Sequence, residues 1–226
     1  MAIQTMKQVK NYSFSTRTNN TITKNYKHKG IPVLLQKAVA LVALLLVSPL
    51  LLLVIILIRT ESIGSALFSQ TRVGENGRHF KMYKFRSMYL KSDPQYQEPD
   101  PAESSREGVC KKYFNDPRIT KTGLFIRKYS IDEIPQLFNV VIGDMCLVGP
   151  RPALAAETYE YKNFVLPRLF ARPGLTGLWQ ISGRADTDFD EQLHLDKLYI
   201  KQQSIFMDCK IIALTIPAVL SAKGAY

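Results

Sequence analysis

Between Lys37 and Arg59 lie 21 consecutive residues without a charge, Ala38 to Ile58, nearly all Leu, Val, Ile and Ala. A helix of about 20 apolar residues matches the hydrocarbon thickness of a bilayer, so this run commits the chain to a membrane before anything else is known. The run starts too late and is too long for a secretory signal, and no small-residue cleavage site follows it. Ser48-Pro49 sits at its midpoint, where the missing proline N–H and the ring clash predict a kink. Lys24, Lys27, Lys29 and Lys37 precede the run, and Arg59, Arg72, Arg78, Lys81, Lys84 and Arg86 follow it. Positive charge favours the cytoplasmic side, and here both flanks carry it. A helix that enters, bends at Ser48-Pro49 and returns to the same face satisfies both flanks better than a spanning one.

The charge is unevenly spread. Of a formal net charge of +11, residues 1–37 supply seven Lys and Arg and no acid, while the remainder holds 23 basic and 19 acidic residues. The excess therefore belongs to an N-terminal arm, and the rest lacks the basic face of a nucleic-acid-binding domain. Residues 1–30, rich in Asn, Thr, Ser and Lys, are expected to be disordered. Cys110, Cys146 and Cys209 are odd in number and widely spaced, which suits idle thiols in a reducing compartment, not a disulfide framework or zinc. His28, His79 and His194 form no ligand pattern.

Beyond the apolar run, Asn76-Gly77 is a hairpin turn between Ala66–Val73 and the alternating Arg78–Arg86. Alternation puts Lys84 and Arg86 on one face and Lys81 on the other, which makes the first two candidates for phosphate or else ordinary charges on a strand edge. Residues 91–117, with four prolines, form an irregular loop. Helices are expected over Thr122–Lys128, Ser130–Val141, about Ala153–Leu169, Phe189–Ile200 and Ile205–Leu220, the last either along the membrane surface or, as expected for most of it, in the core. Pro150 and Pro152 stiffen the backbone on either side of Arg151. Neither a P-loop nor a dinucleotide fingerprint is present.

Residues 131–136, Ile-Asp-Glu-Ile-Pro-Gln, place an adjacent acid pair, Asp132 and Glu133, among Arg118, Lys121, Arg127, Lys128 and Arg151. Such a pair suits chemistry on a phosphate ester. One carboxylate attacks phosphorus, the other holds a divalent metal, and arginines neutralise phosphate charge. The plainer alternative is the first turn of a helix, with Ser130 as N-cap and Glu133 closing a capping box. Trp179 beside its glycine turns is either core or a platform for a base, with Gln180 next to it.

An ordered set of motifs now carries a resemblance. These are Leu50–Ile58 with its Ser-Pro, Lys84-Phe-Arg-Ser-Met88, Asp116-Pro-Arg-Ile-Thr120, Arg127 to Asn139, Gly143-Asp-Met145, Val148–Pro152, Arg172-Pro-Gly-Leu-Thr-Gly177 and Gly224-Ala-Tyr226. From about residue 31 onward the chain resembles the bacterial sugar transferases, the monotopic phosphoglycosyl transferases, in a short form without the spanning helices of longer relatives. The resemblance implies an α+β, helix-dominated protein. A re-entrant membrane helix over 31–60 would precede a small cytoplasmic domain over 61–226, with a β-hairpin and interfacial helices. It implies transfer of a sugar-1-phosphate from a UDP-sugar to a polyprenyl phosphate such as undecaprenyl phosphate, with release of UMP, at the start of exopolysaccharide, capsule or O-antigen synthesis. Asp132 would be the nucleophile, and Glu133 with Asp132 would hold Mg²⁺. Arg127, Arg151, Lys84 and Arg86 would bind phosphate, and Asp144 would support an arginine or the metal, or else serve packing alone. The expected setting is the bacterial inner membrane, with the site on the cytoplasmic face, membrane lipid as a partner and a homo-oligomer allowed. A hydrolase using the same aspartyl-phosphate logic and a non-catalytic scaffold are the competing readings, and the sugar is open.

Overall fold

A computed structural model describes residues 26–100, 113, 115–160, 166–183 and 188–221. The arm before Tyr26, Cys110 and Gly224-Ala-Tyr226 lie outside them. The described residues form a helix-rich α+β fold with an N-terminal apolar helix and small sheets.

Helix α1 (Val33–Glu61) is, among the described residues, the one helix long and apolar enough to cross a membrane. It runs without interruption through Pro49. Proline has no N–H for the Leu45 carbonyl, and the neighbouring Ser48 hydroxyl takes that carbonyl instead, at 2.8 Å. Both halves of α1 pack on the domain that follows. Ala40, Ala43 and Leu44 meet Phe80, Met82, Leu137, Val140 and Met145, whereas Leu51, Val54, Ile55 and Ile58 meet Ala66, Phe85 and Ile126. Between those two patches Leu45, Leu46, Ser48, Pro49 and Leu50 are exposed. Gln36, fully buried near the start of α1, accepts the Leu147 N–H (2.7 Å) and donates to Ile31 O (2.7 Å). Tyr26 and Lys29, at the end of the arm expected to be disordered, both bond Gln203 Oε1, at 2.6 and 3.0 Å.

The hairpin forms as the turn residues demand. Strands β1 (Leu67–Val73) and β2 (His79–Phe85) pair antiparallel from Leu67↔Phe85 to Val73↔His79. Asn76 and Gly77 both take positive φ, at 57° and 75°, which an Asn-Gly pair tolerates. Helix α2 (Lys121–Lys128) starts at Thr120, whose hydroxyl accepts the Gly123 N–H (2.8 Å). Glu61, the last residue of α1, also caps it by accepting the N–H groups of Lys121 and Thr122 (2.6 and 2.9 Å). Gly123 is required there, because a Cβ would stand 2.1 Å from Ser87 O.

The helix expected over Ser130–Val141 is broken. Ile131–Glu133 is a 3-10 turn and helix α3 occupies Gln136–Ile142. Pro135 cannot reach the Ile131 carbonyl, which receives the Ile134 N–H at 3.2 Å in the tighter pattern. Strand β3 (Cys146–Val148) pairs parallel with β5 (Gly174–Thr176). The helix expected over Ala153–Leu169 is also divided. Strand β4 (Ala153–Leu154) adds to β1, helix α4 (Ala155–Glu160) follows, and Leu166–Phe170 is 3-10. The sheet at β4 uses residues that a helix-period count had absorbed. Helices α5 (Leu178–Ile181), α6 (Phe189–Gln202) and α7 (Ile205–Leu220) complete the fold. Core packing for most of α7 is not what forms. Ile205, Phe206, Leu214, Ile216 and Leu220 are exposed, while Asp208 and Ile211 are buried.

Asn139, fully buried on α3, closes the free edge of β2: its Oδ1 accepts the Tyr83 N–H (3.1 Å) and its amide donates to Lys81 O (2.7 Å). Asn139→Ala strands both strand groups and should lower stability by about 3 kcal/mol, a Tm drop of roughly 10 °C in detergent. A Tm within about 2 °C of wild type would remove the bridge from the list of interactions that hold the domain together.

Candidate active site

Strand β2 and the turn before α3 bring Lys84, Asp132 and Glu133 together. The Lys84 ammonium donates to Glu133 Oε1 at 2.5 Å and lies 3.8 Å from Asp132 Oδ2. Asp132 is buried, with 9 % of its surface exposed, whereas Glu133 is half-buried. Ser130 does not act as the expected cap. It takes a left-handed φ of 54° and its side chain makes no capping bond. Its carbonyl accepts the Glu133 N–H (3.1 Å), which leaves the Glu133 carboxylate for Lys84. The capping box fails because the left-handed residue turns the chain, so both acids project from a tight turn and not from a regular helix.

Burial pushes the Asp132 carboxyl up to about 6, and the neighbouring Glu133 charge adds to the rise. Lys84 and Arg127 oppose it. Arg127 stands in the last turn of α2, the helix capped by Glu61. A carboxylate held at this cost is a poorly solvated anion beside two cations, which are the conditions of an activated nucleophile.

Arg151 lies between Pro150 and Pro152, with its guanidinium 5.0 Å from the centre of the Trp179 ring. Its N–H donates to Asp196 Oδ1 at 3.4 Å. Trp179 is half-buried, neither core nor bare platform. Among the described residues no acid pairs with the Arg151 guanidinium, so its charge is presented on an aromatic face.

Arg86 is turned to a different task. It is buried, and donates to the Ser62 and Ile63 carbonyls and to Ser62 Oγ. The Arg86 guanidinium thus ties the end of α1 to β2, and only Lys84 of the expected strand pair is brought to the dyad. Asp144 donates its N–H to Asn139 O (2.9 Å), in the turn that ends α3. Asn139, Arg168 and Asp196 carried no assigned role in the sequence. Single polar residues in apolar stretches gave no pattern, although a lone amide inside Leu-Phe-Asn-Val-Val is a hint of a buried bond.

For a divalent cation, Asp132 and Glu133 are the available oxygen donors. Among the described residues no group of three or more His, Cys, Asp or Glu gathers. Mg²⁺ keeps several waters and commonly uses one or two carboxylates together with substrate phosphates. The dyad fits an ion that is shared with a diphosphate.

Comparison with known proteins gives the family of the chain. The family model described as bacterial sugar transferase matches residues 28–222. The chain is 44% identical over 192 residues to the exopolysaccharide production protein ExoY of Rhizobium meliloti, covering 83% of this chain and 84% of that protein. It is 52% identical over 163 residues to the galactosyl transferase CpsE of Streptococcus agalactiae, covering 72% of this chain and 36% of CpsE. To the undecaprenyl-phosphate galactose phosphotransferase of Salmonella typhimurium it is 45% identical over 170 residues, 74% of this chain and 36% of that one. The match thus spans most of ExoY and about a third of the other two. On the extent of the family match and of the likeness to ExoY, this chain belongs to the bacterial sugar transferase family.

Proposed function

We propose that this protein transfers a sugar-1-phosphate from a UDP-sugar to a polyprenyl phosphate, through a covalent intermediate on Asp132. The observation that carries the proposal is the buried Asp132 carboxylate beside Glu133, Lys84 and Arg127, in a chain of this family. The relatives named as undecaprenyl-phosphate galactose phosphotransferase and as UDP-glucose:undecaprenyl-phosphate glucose-1-phosphate transferase support the donor and acceptor classes.

Asp132 Oδ attacks the β-phosphorus of the donor, and the bond from that phosphorus to the bridging oxygen breaks. The electron pair leaves on UMP, and the sugar phosphate stays on Asp132 as an acyl phosphate. A phosphate oxygen of the lipid then attacks the same phosphorus. The bond to Asp132 breaks, restoring the carboxylate and giving a polyprenyl diphosphate sugar. Lys84 shifts from Glu133 onto a donor phosphate oxygen, and Arg127 and Arg151 neutralise the rest. Glu133, with Asp132, would hold Mg²⁺, which supplies charge neutralisation at the diphosphate.

We place the protein at the bacterial inner membrane with the site on the cytoplasmic face. A re-entrant α1 agrees with its two packed halves and its exposed middle. Exposed Leu124, Phe125, Phe138, Ile142, Ile205 and Phe206 support contact with lipid by α2, α3 and α7. Reporters fused at either end of the chain should both report the cytoplasm, and a periplasmic N-terminal signal would make α1 a spanning helix.

Incubation of the detergent-solubilised enzyme with Mg²⁺ and a panel of UDP-sugars, without acceptor, should add the mass of one sugar phosphate. Undecaprenyl phosphate should discharge the adduct, and Asp132→Asn should not form it. UMP release that survives in Asp132→Asn would sink the nucleophile assignment. Release of free sugar phosphate with acceptor present would favour the hydrolase.

The raised Asp132 pKa also has a stability signature. Between the ordinary value of 3.8 and about 6 the folded protein holds a proton that the unfolded chain has lost. Its stability therefore falls as pH rises through that window and levels off above it. Asp132→Asn is spared this loss. In chelator-treated protein its advantage over wild type should grow from pH 4 to pH 7 by about 2 kcal/mol. Parallel Tm profiles for the two proteins would show that the carboxyl is not strained.

A further inference from the structure

Every residue of Val148–Pro152 is anchored from outside the dyad. Tyr199 Oη donates to Val148 O (3.2 Å) and Arg72 Nη1 donates to Pro152 O (3.2 Å). Gly149 N–H donates to Thr176 O, and Gly174 N–H donates to Pro150 O, both at 2.9 Å. Gly149 has no alternative, since a Cβ would lie 2.5 Å from Arg172 O and 2.6 Å from Gly174 N. Arg151 itself is met by Asp196, whose Oδ1 accepts its N–H at 3.4 Å.

Asp196 is unlike the other anchors because it belongs to a buried ion cluster. Its second oxygen accepts from the Arg168 guanidinium, through Nε at 2.9 Å and through Nη2. The Arg168 side chain and that of Asp196 are each 1% exposed, and Arg168 Nη1 lies 3.8 Å from Glu157 Oε2. Glu157 in turn accepts the Leu154 N–H (3.0 Å), three residues beyond Arg151. The two acids therefore grip the backbone on both sides of Pro152, and Arg168 ties them together. Buried ion clusters add little net stability, because desolvation cancels their attraction, and apolar replacements of the whole set are often neutral. What this one supplies is direction. A long hydrogen bond at Arg151 N–H contributes little energy, but it fixes the bearing on which the side chain leaves the backbone and reaches the Trp179 face.

We infer that Asp196, clamped by Arg168 against Glu157, is a positioning residue that aims the Arg151 guanidinium at the diphosphate of the nucleotide donor. The inference rests on the donor-binding role of Arg151 proposed above.

The test measures binding of UDP with Mg²⁺ to detergent-solubilised full-length protein by calorimetry, which separates affinity from the fraction of competent sites. Asp196→Ala alone would strand a buried guanidinium, so the informative protein is the triple variant Asp196→Leu, Arg168→Met, Glu157→Gln. It removes the charges together and keeps an acceptor for Leu154 N–H. Its Kd should rise about tenfold at unchanged stoichiometry, the scale of one misdirected charged hydrogen bond. Arg151→Ala should weaken UDP to a similar degree, and combining the two should add nothing further. A purely structural role would lower the stoichiometry and leave Kd alone, or would multiply with Arg151→Ala, and either outcome overturns the inference. If Arg151→Ala by itself leaves Kd unchanged, Arg151 is not a donor ligand and both claims fall. Should the triple variant not fold, Asp196→Leu with Arg168→Met takes its place, because it removes the acceptor of the Arg151 N–H and leaves Glu157 on the Leu154 N–H. It should show a Kd several-fold above wild type, and an unchanged Kd would overturn the inference as well.

Discussion

One side-chain amide sets the geometry on which the site depends. Asn139 pairs with Lys81 O and Tyr83 N–H and so fixes α3 against the edge of β2 in a single register. The next residue on that strand is Lys84, and the acid pair lies just before α3, so the same register sets the ammonium beside both carboxylates. A slip of one strand residue would carry Lys84 to the opposite face. Asn139 is fully buried, and its own carbonyl accepts three more N–H groups, from Gly143, Asp144 and Met145. One residue thus closes a strand edge, ends a helix and aligns the lysine that meets both carboxylates.

The electrostatics of the site follow from that alignment. Two adjacent acids at a partly dry turn repel one another, and the proposed UDP-sugar donor would bring further negative charge. Lys84 and Arg127, which act on Asp132, come from two separate elements, the proposed phosphate ligand Arg151 comes from the loop between β3 and β4, and each is held by a different device. Lys84 is placed by the Asn139 bridge, and Arg127 by a helix whose first turn is capped by Glu61 at the end of α1. Arg151 rests between prolines over an indole ring. Cations on separate supports can meet different phosphate oxygens without first repelling one another at one point. The cap from Glu61 also makes the position of Arg127 dependent on the membrane helix.

How much of this was legible in the sequence depended on whether a feature is local. The apolar helix, the Asn-Gly hairpin and the helices at Lys121–Lys128, Phe189–Gln202 and Ile205–Leu220 announce themselves through period, turn chemistry and caps. The acid pair was visible from its company. The failures have local and distant causes. Ser130 looked like a cap until the fold put it in a left-handed turn, and Ala153–Leu154 looked helical until β1 recruited it as a strand. Arg86 looked like the partner of Lys84 until two carbonyls at the end of α1 claimed it. In the last two cases a group distant in sequence outbid the local preference, and single-residue spacing holds no record of such partners. The exposed side of α7 is a related case, since an apolar helix reads the same whether its neighbour is protein or lipid.

The two-step transfer proposed for this chain would place unusual demands on a site. A water-soluble donor and a lipid-bound acceptor must reach one carboxylate in turn, and that carboxylate must be dry enough to be reactive yet open to both. The fold meets this with a membrane helix whose two halves pack against the catalytic domain. Its first half is tied to β3 through Gln36, and its second half is tied to α2 through Glu61. One side of each half packs on protein, while the middle and the other side, with Leu34, Leu35, Val42, Leu52, Leu53 and Ile56, are left uncovered. Depth in the membrane and distance from the dyad are therefore set by the same rigid piece. On the mechanism proposed above, Asp132 would need no mobile lid to meet a lipid acceptor, because the segment that anchors the protein would also determine where the acceptor phosphate arrives.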